Sequence, residues 1–196
     1  SRAKYGDVMD GTTFQATDVA GYLEEITGLG AVNNGMLVGH GTLRELCMDD
    51  TTVTVPSEKE MEAMKEALRE NLRQGAFGLS LGLEYVPGAF AKTEELIELA
   101  KVAKEFDVPV PVHMRSEGPK VFEAIDEMAR VARESGAHVH ISHFKIGNFP
   151  GQMDRMMRTI DGYLEEGLDM SFDQYPYTAS STGLSYVTPK EFRGKP

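Results

Sequence analysis

VPVPVHMRSEG, residues 108–118, is an apolar run that closes on polar residues, and its parity decides how the rest of the chain reads. Side chains alternate across a strand. Val108, Val110 and Val112 therefore share one face, while Pro109, Pro111, His113 and Arg115 share the other. A face made only of valine is what a parallel strand turns toward a covering helix. The stretch predicts a strand over 108–113, with His113 at its C-terminal end and directed away from the helices.

The same unit recurs on either side, with strands predicted at 36–39, 75–81, 138–143 and 168–173. Helices fill the gaps. A short one over 18–27 places Val19, Tyr22, Leu23 and Ile26 on one face. Ser57 and Glu60 form an S-x-x-E capping box ahead of Met61, Met64, Leu68 and Leu72. Thr93 is placed to cap a helix lined by Leu96, Leu99, Ala100 and Ala103. A further helix over 119–135 carries Val121, Ile125, Met128 and Ala132 and stops at Gly136. The last, over 151–166, carries Met153, Met157, Ile160 and Leu164 and stops at Gly167. The methionines read as core packing.

Strands alternating with helices imply βαβ units and a parallel sheet, so the fold class is α/β. No strand–GxGxxG–helix and no GxxxxGK[ST] loop occurs. Polar residues instead gather at the strands' C-terminal ends, where doubly wound sheets and (β/α)8 barrels both build their sites. A closed barrel needs eight strands. The five strands read here fit either an open sheet or part of a larger barrel. Residues 1–196 read as one α/β unit, with a helical lead-in over 1–30 and a loose tail over 187–196.

Composition excludes several classes. The chain is 41% hydrophobic and 26% charged, an ordinary globular profile long enough to bury a core. A net charge of −11 argues against a nucleic-acid partner, which would require a basic stripe. No run of about 18 apolar residues is present to span a membrane. The single cysteine, Cys47, forbids an internal disulfide, and a cytoplasmic location is expected.

HVHISHFK, residues 138–145, gathers three histidines at the end of the fourth strand. Parity puts His138 and His140 together on one face with Ser142, and His143 and Lys145 on the other with Val139 and Ile141. The reading adopted makes His138 and His140 helix-facing and structural, with His143 turned inward. His113 and His143 then sit at equivalent points of neighbouring strands, where two imidazoles can meet at one metal ion. Zinc requires at least three protein ligands, so this pair alone does not complete a site. The other strand ends add Glu84 and Tyr85, then Asp173, Tyr175 and Tyr177, and near the start His40 and Arg44. Acids, tyrosines, an arginine and a lysine on one rim suit a small anionic substrate.

Taken in order, LVGHGTLR (37–44), GAFGLSLGLEYVPG (75–88), TEELIELAKVAKE (93–105), HMRSEG (113–118), HISHFK (140–145) and YPYTASSTGLS (175–185) resemble the D-aminoacylase family. These are the N-acyl-D-amino-acid deacylases of the amidohydrolase superfamily. The resemblance runs over roughly residues 30–186, and HMRSEG followed by ISH is its most specific pair.

The resemblance implies a partial (β/α)8 barrel, about strands three to seven of eight, at whose rim zinc, as one or two ions, assists hydrolysis of an N-acyl-D-amino acid. It implies His113 and His143 as metal ligands. Lys145 and one of Tyr175 or Tyr177 are implied as holders of the substrate carboxylate. His40, Glu84 and Arg115 are read as supporting groups around them, and His140, where relatives often carry glutamine, receives no role. The family's HxH pair, its ligand cysteine and its general-base aspartate have no counterpart in these residues; Cys47 lies in a different motif. Leu81 stands where relatives commonly carry threonine.

The chain is therefore expected to be a fragment that is inactive alone and that self-associates through open sheet edges. The alternatives are a silent structural module and a related cyclic amidohydrolase of the dihydroorotase or hydantoinase kind.

Overall fold

The structure, a computed structural model, describes residues 17–147, 151–179 and 181. Chain order is α1 (Val19–Ile26), β1 (Val38–Gly39), α2 (His40–Cys47), α3 (Glu58–Arg73), β2 (Leu79–Gly82), α4 (Thr93–Glu105), β3 (Val110–His113), α5 (Val121–Ser135), β4 (Val139–Ile141), α6 (Met153–Glu165) and β5 (Met170–Phe172). A single 3-10 turn, Gly88–Phe90, lies between β2 and α4. The lead-in helix is seen as α1. Residues 1–16 and the tail at 187–196 lie outside the described residues.

The five strands pair in parallel, in the order β1-β2-β3-β4-β5. That order settles the architecture. A doubly wound sheet reverses direction at a switch point and carries helices on both faces. Sequential order with crossovers of one hand keeps every helix on the same face, which is the construction of a barrel. Register agrees with this. Val38 pairs Leu79, Leu81 pairs Val112, Val110 pairs Val139, and Val139 pairs Met170. All of these are buried beneath the helices, together with Met64, Leu68, Leu96, Leu99, Ile125 and Met128. Ser80, Pro111, His140 and Ser171 occupy the alternate positions and are only half-buried, on the concave face.

Several local signals act as read. Ser57 Oγ accepts from the Glu60 amide while the Glu60 carboxylate accepts from the Ser57 amide, completing the capping box. Gly136 takes φ 68° at the end of α5, a left-handed position that favours glycine.

Three readings need correction. Thr93 is the first helical residue of α4 rather than its cap, and its hydroxyl donates to Glu127 at 2.9 Å. In α6 the buried residues are Met156 and Ile160, whereas Met153 and Leu164 are exposed. A helix at the end of its layer packs on one side only, which narrows the covered face. His40 and Arg44, read as rim residues past the first strand, instead belong to α2, a helix with no counterpart in the sequence reading, whose buried side is His40, Leu43 and Arg44. Two polar residues in that face hide its helical period.

These two polar residues meet Glu95 in the core. His40 Nε2 lies 2.7 Å from Glu95 Oε1, and Arg44 donates to Glu95 Oε2 at 2.5 Å. Arg44 also donates to the carbonyls of Thr51, at 3.0 Å, and Val53. The cluster fastens α2 to α4, and the hydrogen bond His40 makes is to Glu95 rather than to His113 or His143.

Candidate metal centre

β3 delivers His113 to the C-terminal rim as its last residue. His143 lies two residues beyond β4, where the chain has left the strand. Its φ is 45°, a left-handed conformation that costs a non-glycine residue about 1–2 kcal/mol. The Asp173 carboxylate offsets that strain by accepting the His143 amide at 2.6 Å. The turn brings Nε2 of His143 to 3.0 Å from Nδ1 of His113.

Strand parity misplaced the other two histidines. Within β4, Val139 and Ile141 are buried under the helices, and His140 pairs laterally with Pro111 on the concave face. His138 and His140 therefore face inward, and His143 shares their side because the left-handed turn breaks the alternation.

Each imidazole of the His113–His143 pair is held by a carboxylate on its outer nitrogen. Glu84 Oε2 is 3.0 Å from His113 Nε2, and Glu117 Oε1 is 2.8 Å from His143 Nδ1. Such carboxylate–imidazole contacts fix the ring and leave the inner nitrogen for a metal. His113, Glu117 and His143 each offer a donor atom, all within 4.8 Å of one another. Glu117 escaped the sequence reading, although it stands four residues past His113 in HMRSEG. Tyr85 packs on His113 with ring centroids 4.8 Å apart.

Lys145 donates to Glu117 at 2.8 Å and lies 5.6 Å from the Tyr175 ring. Tyr175 and Tyr177 stack at 4.7 Å, with Tyr177 on the exposed side. Arg115 points elsewhere: it donates to Glu127 and to the carbonyls of Ala89 and Ala91, fixing the turn that precedes α4. That turn needs glycine at 88, where a Cβ would meet the Gly82 carbonyl oxygen at 2.5 Å. Burial, then the Lys145 ammonium, pushes the His143 pKa below the ordinary histidine value. Asp173 is held below the usual carboxylate range, first by the hydrogen bond from His140.

Parallel strands in sequential order, helices on one face and imidazoles at the strand ends define part of a (β/α)8 barrel, which resembles the barrels of the amidohydrolase superfamily. More narrowly, the chain resembles a part of the D-aminoacylases, the N-acyl-D-amino-acid deacylases of that superfamily. A D-aminoacylase of Alcaligenes xylosoxydans xylosoxydans is 35% identical over 182 residues, 91% of this chain and 37% of the relative. An N-acyl-D-glutamate deacylase of the same organism is 39% identical over 156 residues, 78% of this chain and 32% of the relative.

Among solved structures, N-acyl-D-glutamate deacylase of Bordetella bronchiseptica, complexed with zinc and a phosphonate inhibitor, superposes with TM-score 0.77 at 35% identity. That match covers 82% of this chain and 34% of the other. A D-aminoacylase structure gives TM-score 0.79 at 33% identity over 89% of this chain and 37% of the other. An L-hydantoinase of Arthrobacter aurescens shares the fold at TM-score 0.53 and 18% identity. The chain thus spans about a third of the length of the relatives it matches, between 31% and 37%. No family model matches it.

Proposed function

We propose that this chain supplies part of the active centre of a zinc-dependent N-acyl-D-amino-acid deacylase. The observation that carries the reading is the paired imidazoles at the ends of β3 and β4, each backed by a glutamate. Their donor chemistry fits zinc, which takes imidazole and carboxylate ligands. Two nitrogens on one tetrahedral zinc lie about 3.3 Å apart, from Zn–N bonds of about 2.0–2.1 Å. The separation here is 3.0 Å, close to that spacing.

His113 Nδ1 and His143 Nε2 would hold the ion, one or two ions being accommodated in the complete rim. Zinc, when bound, supplies a Lewis acid for the amide carbonyl and acidifies water toward neutral pH. Glu84 and Glu117 hold the outer ring nitrogens, keeping the inner ones aimed at the ion. Lys145, with Tyr175 beside it and Tyr177 stacked behind, orients the carboxylate of the amino-acid half. The general base lies outside the described residues.

The isolated chain is expected to bind zinc without turning over substrate, because the ligand set is incomplete in these residues. Assaying N-acetyl-D- against N-acetyl-L-amino acids tests the reading, on the zinc-loaded chain and on a polypeptide supplying a whole barrel. Hydrolysis selective for the D-form by the whole barrel, with none by the chain, supports it. A whole barrel inert toward every N-acyl-D-amino acid leaves only a structural module.

The reading includes two further features. A cytoplasmic location fits the lone thiol, and no described helix is long and apolar enough to cross a membrane. β1 and β5 each have one strand neighbour among the described residues, leaving backbone groups open to pairing. Self-association of the chain follows, and light scattering showing a monomer at high concentration would count against it.

The pH dependence has a definite sign. His143 in its folded site favours the neutral, metal-binding form, because burial and Lys145 disfavour the imidazolium. The folded chain thus binds fewer protons here than the unfolded one as pH falls through about 6.5. Stability from this group is complete above that value and is lost as pH falls toward the depressed folded value. Zinc titrations at stepped pH should show proton competition at His143 beginning below the ordinary histidine range; competition already strong at neutral pH contradicts it.

A further inference from the structure

A ladder of hydrogen-bonding side chains runs along the concave face beside the metal centre, and the chemistry above does not use it. It begins at Asp169, whose Oδ1 lies 2.6 Å from Nδ1 of His138. Nε2 of His138 is 2.8 Å from Oγ of Ser171, and the same Oγ is 2.7 Å from Nδ1 of His140. Nε2 of His140 is 2.8 Å from Oδ2 of Asp173, whose other oxygen accepts the His143 amide at 2.6 Å. Both nitrogens of both rings therefore have a partner.

Counting protons along this ladder gives an unexpected total. An ionised carboxylate only accepts, so Nδ1 of His138 and Nε2 of His140 must each carry a hydrogen. The two remaining nitrogens both face Ser171, whose hydroxyl has a single proton to donate. Ser171 satisfies one of them and offers only a lone pair to the other, which must then bear its own hydrogen. Two neutral imidazoles supply two N–H groups and leave one link lone pair to lone pair. Two imidazolium rings supply four and leave the hydroxyl proton without an acceptor in the ladder. Three fills every link.

We propose that His138, Ser171 and His140 share one excess proton between Asp169 and Asp173, and that this charged ladder positions His143 through Asp173. The proton crosses by a double hop: one ring's N–H passes to Oγ as the Oγ–H passes to the other ring. N–H and O–H bonds alone are broken and remade, and the two rings exchange charge. Imidazole suits the task because it gains and loses its proton near neutral pH.

The surroundings leave the balance to the ladder's own groups. Asp169 and Asp173 face the rings from the two ends of β5, and the lateral neighbour of His140 on β3 is the uncharged Pro111. Along the continuation of β4, His143 and Lys145 are paired with Glu117. The proposal rests on the metal reading only in taking His143 as its end point; the proton count itself is a property of the metal-free chain.

Long-range proton–nitrogen NMR correlation on the metal-free chain, labelled at histidine nitrogen, counts the N–H groups on each ring. His138 and His140 are expected to hold three between them, with both rings at averaged, intermediate shifts. Ser171→Ala removes the bridge, so the count falls to two, and the His143 amide resonance moves as the positive charge on His140 beside Asp173 is lost while the His140–Asp173 hydrogen bond stays. His138→Gln gives Ser171 an amide donor and frees its hydroxyl for His140, leaving that ring neutral.

A wild-type count of two or four overturns the proposal. A His143 amide unmoved by Ser171→Ala overturns the positioning half of it. If Ser171→Ala fails to fold, the wild-type count and His138→Gln decide. Loss of zinc binding with the three-proton count intact would sink the metal reading and leave this one standing.

Discussion

Glu95→Ala is expected to cost about 3–5 kcal/mol of folding stability, the loss typical when one partner of a buried charge pair is removed. Glu95 is 1% exposed at its side chain, against 0% for both His40 and Arg44. Deleting its carboxylate strands the Arg44 guanidinium in the core with only the carbonyls of Thr51 and Val53 as acceptors. It also leaves both nitrogens of His40 without a partner, since Nδ1 already has none. The damage should spread to the α2–α4 contact and so to the rim end of β1. Urea denaturation reads the effect as a lower midpoint at unchanged slope. Glu95→Gln keeps hydrogen-bonding capacity and should cost less. A loss below about 1 kcal/mol, the scale of a solvated ion pair, would mean that water reaches the cluster.

His143→Ala is expected to weaken zinc binding by more than about 100-fold. Losing an outer partner of a metal ligand typically costs about 10–100-fold, and a direct ligand costs more. His113→Ala should behave alike, because the two nitrogens lie 3.0 Å apart and serve one ion. Cys47→Ser is the informative control. The thiol sits at the end of α2, and burial raises its pKa, which opposes formation of a metal-binding thiolate. Chelator competition should find its zinc affinity unchanged. Should Cys47→Ser abolish binding while His143→Ala does not, the ion is elsewhere.

Much of the barrel was legible because valine, leucine and isoleucine mark the helix-covered face at period two. Val110 and Val112 showed that face in β3, and His113 followed from it by parity alone. In β4 the same rule applied only as far as Ile141. His143 lies past the strand in a left-handed turn, and no period in the sequence announces where alternation stops. The assignment of His138 and His140 to the helix side failed for that reason, since Val139 and Ile141 already filled it. α2 was hidden because its inner face is built from histidine and arginine, whose burial depends on Glu95, 51 to 55 residues away. Glu117 went unread because a carboxylate in a loop is ordinarily solvated. Only the fold brings it to His143 and Lys145.

Zinc K-edge X-ray absorption on the zinc-loaded chain decides whether the ends of β3 and β4 hold a metal through His113 and His143. Multiple scattering from two imidazoles is expected at about 2.0–2.1 Å, with oxygen completing the shell and no sulfur at about 2.3 Å. A shell without imidazole, or one containing sulfur, would contradict it.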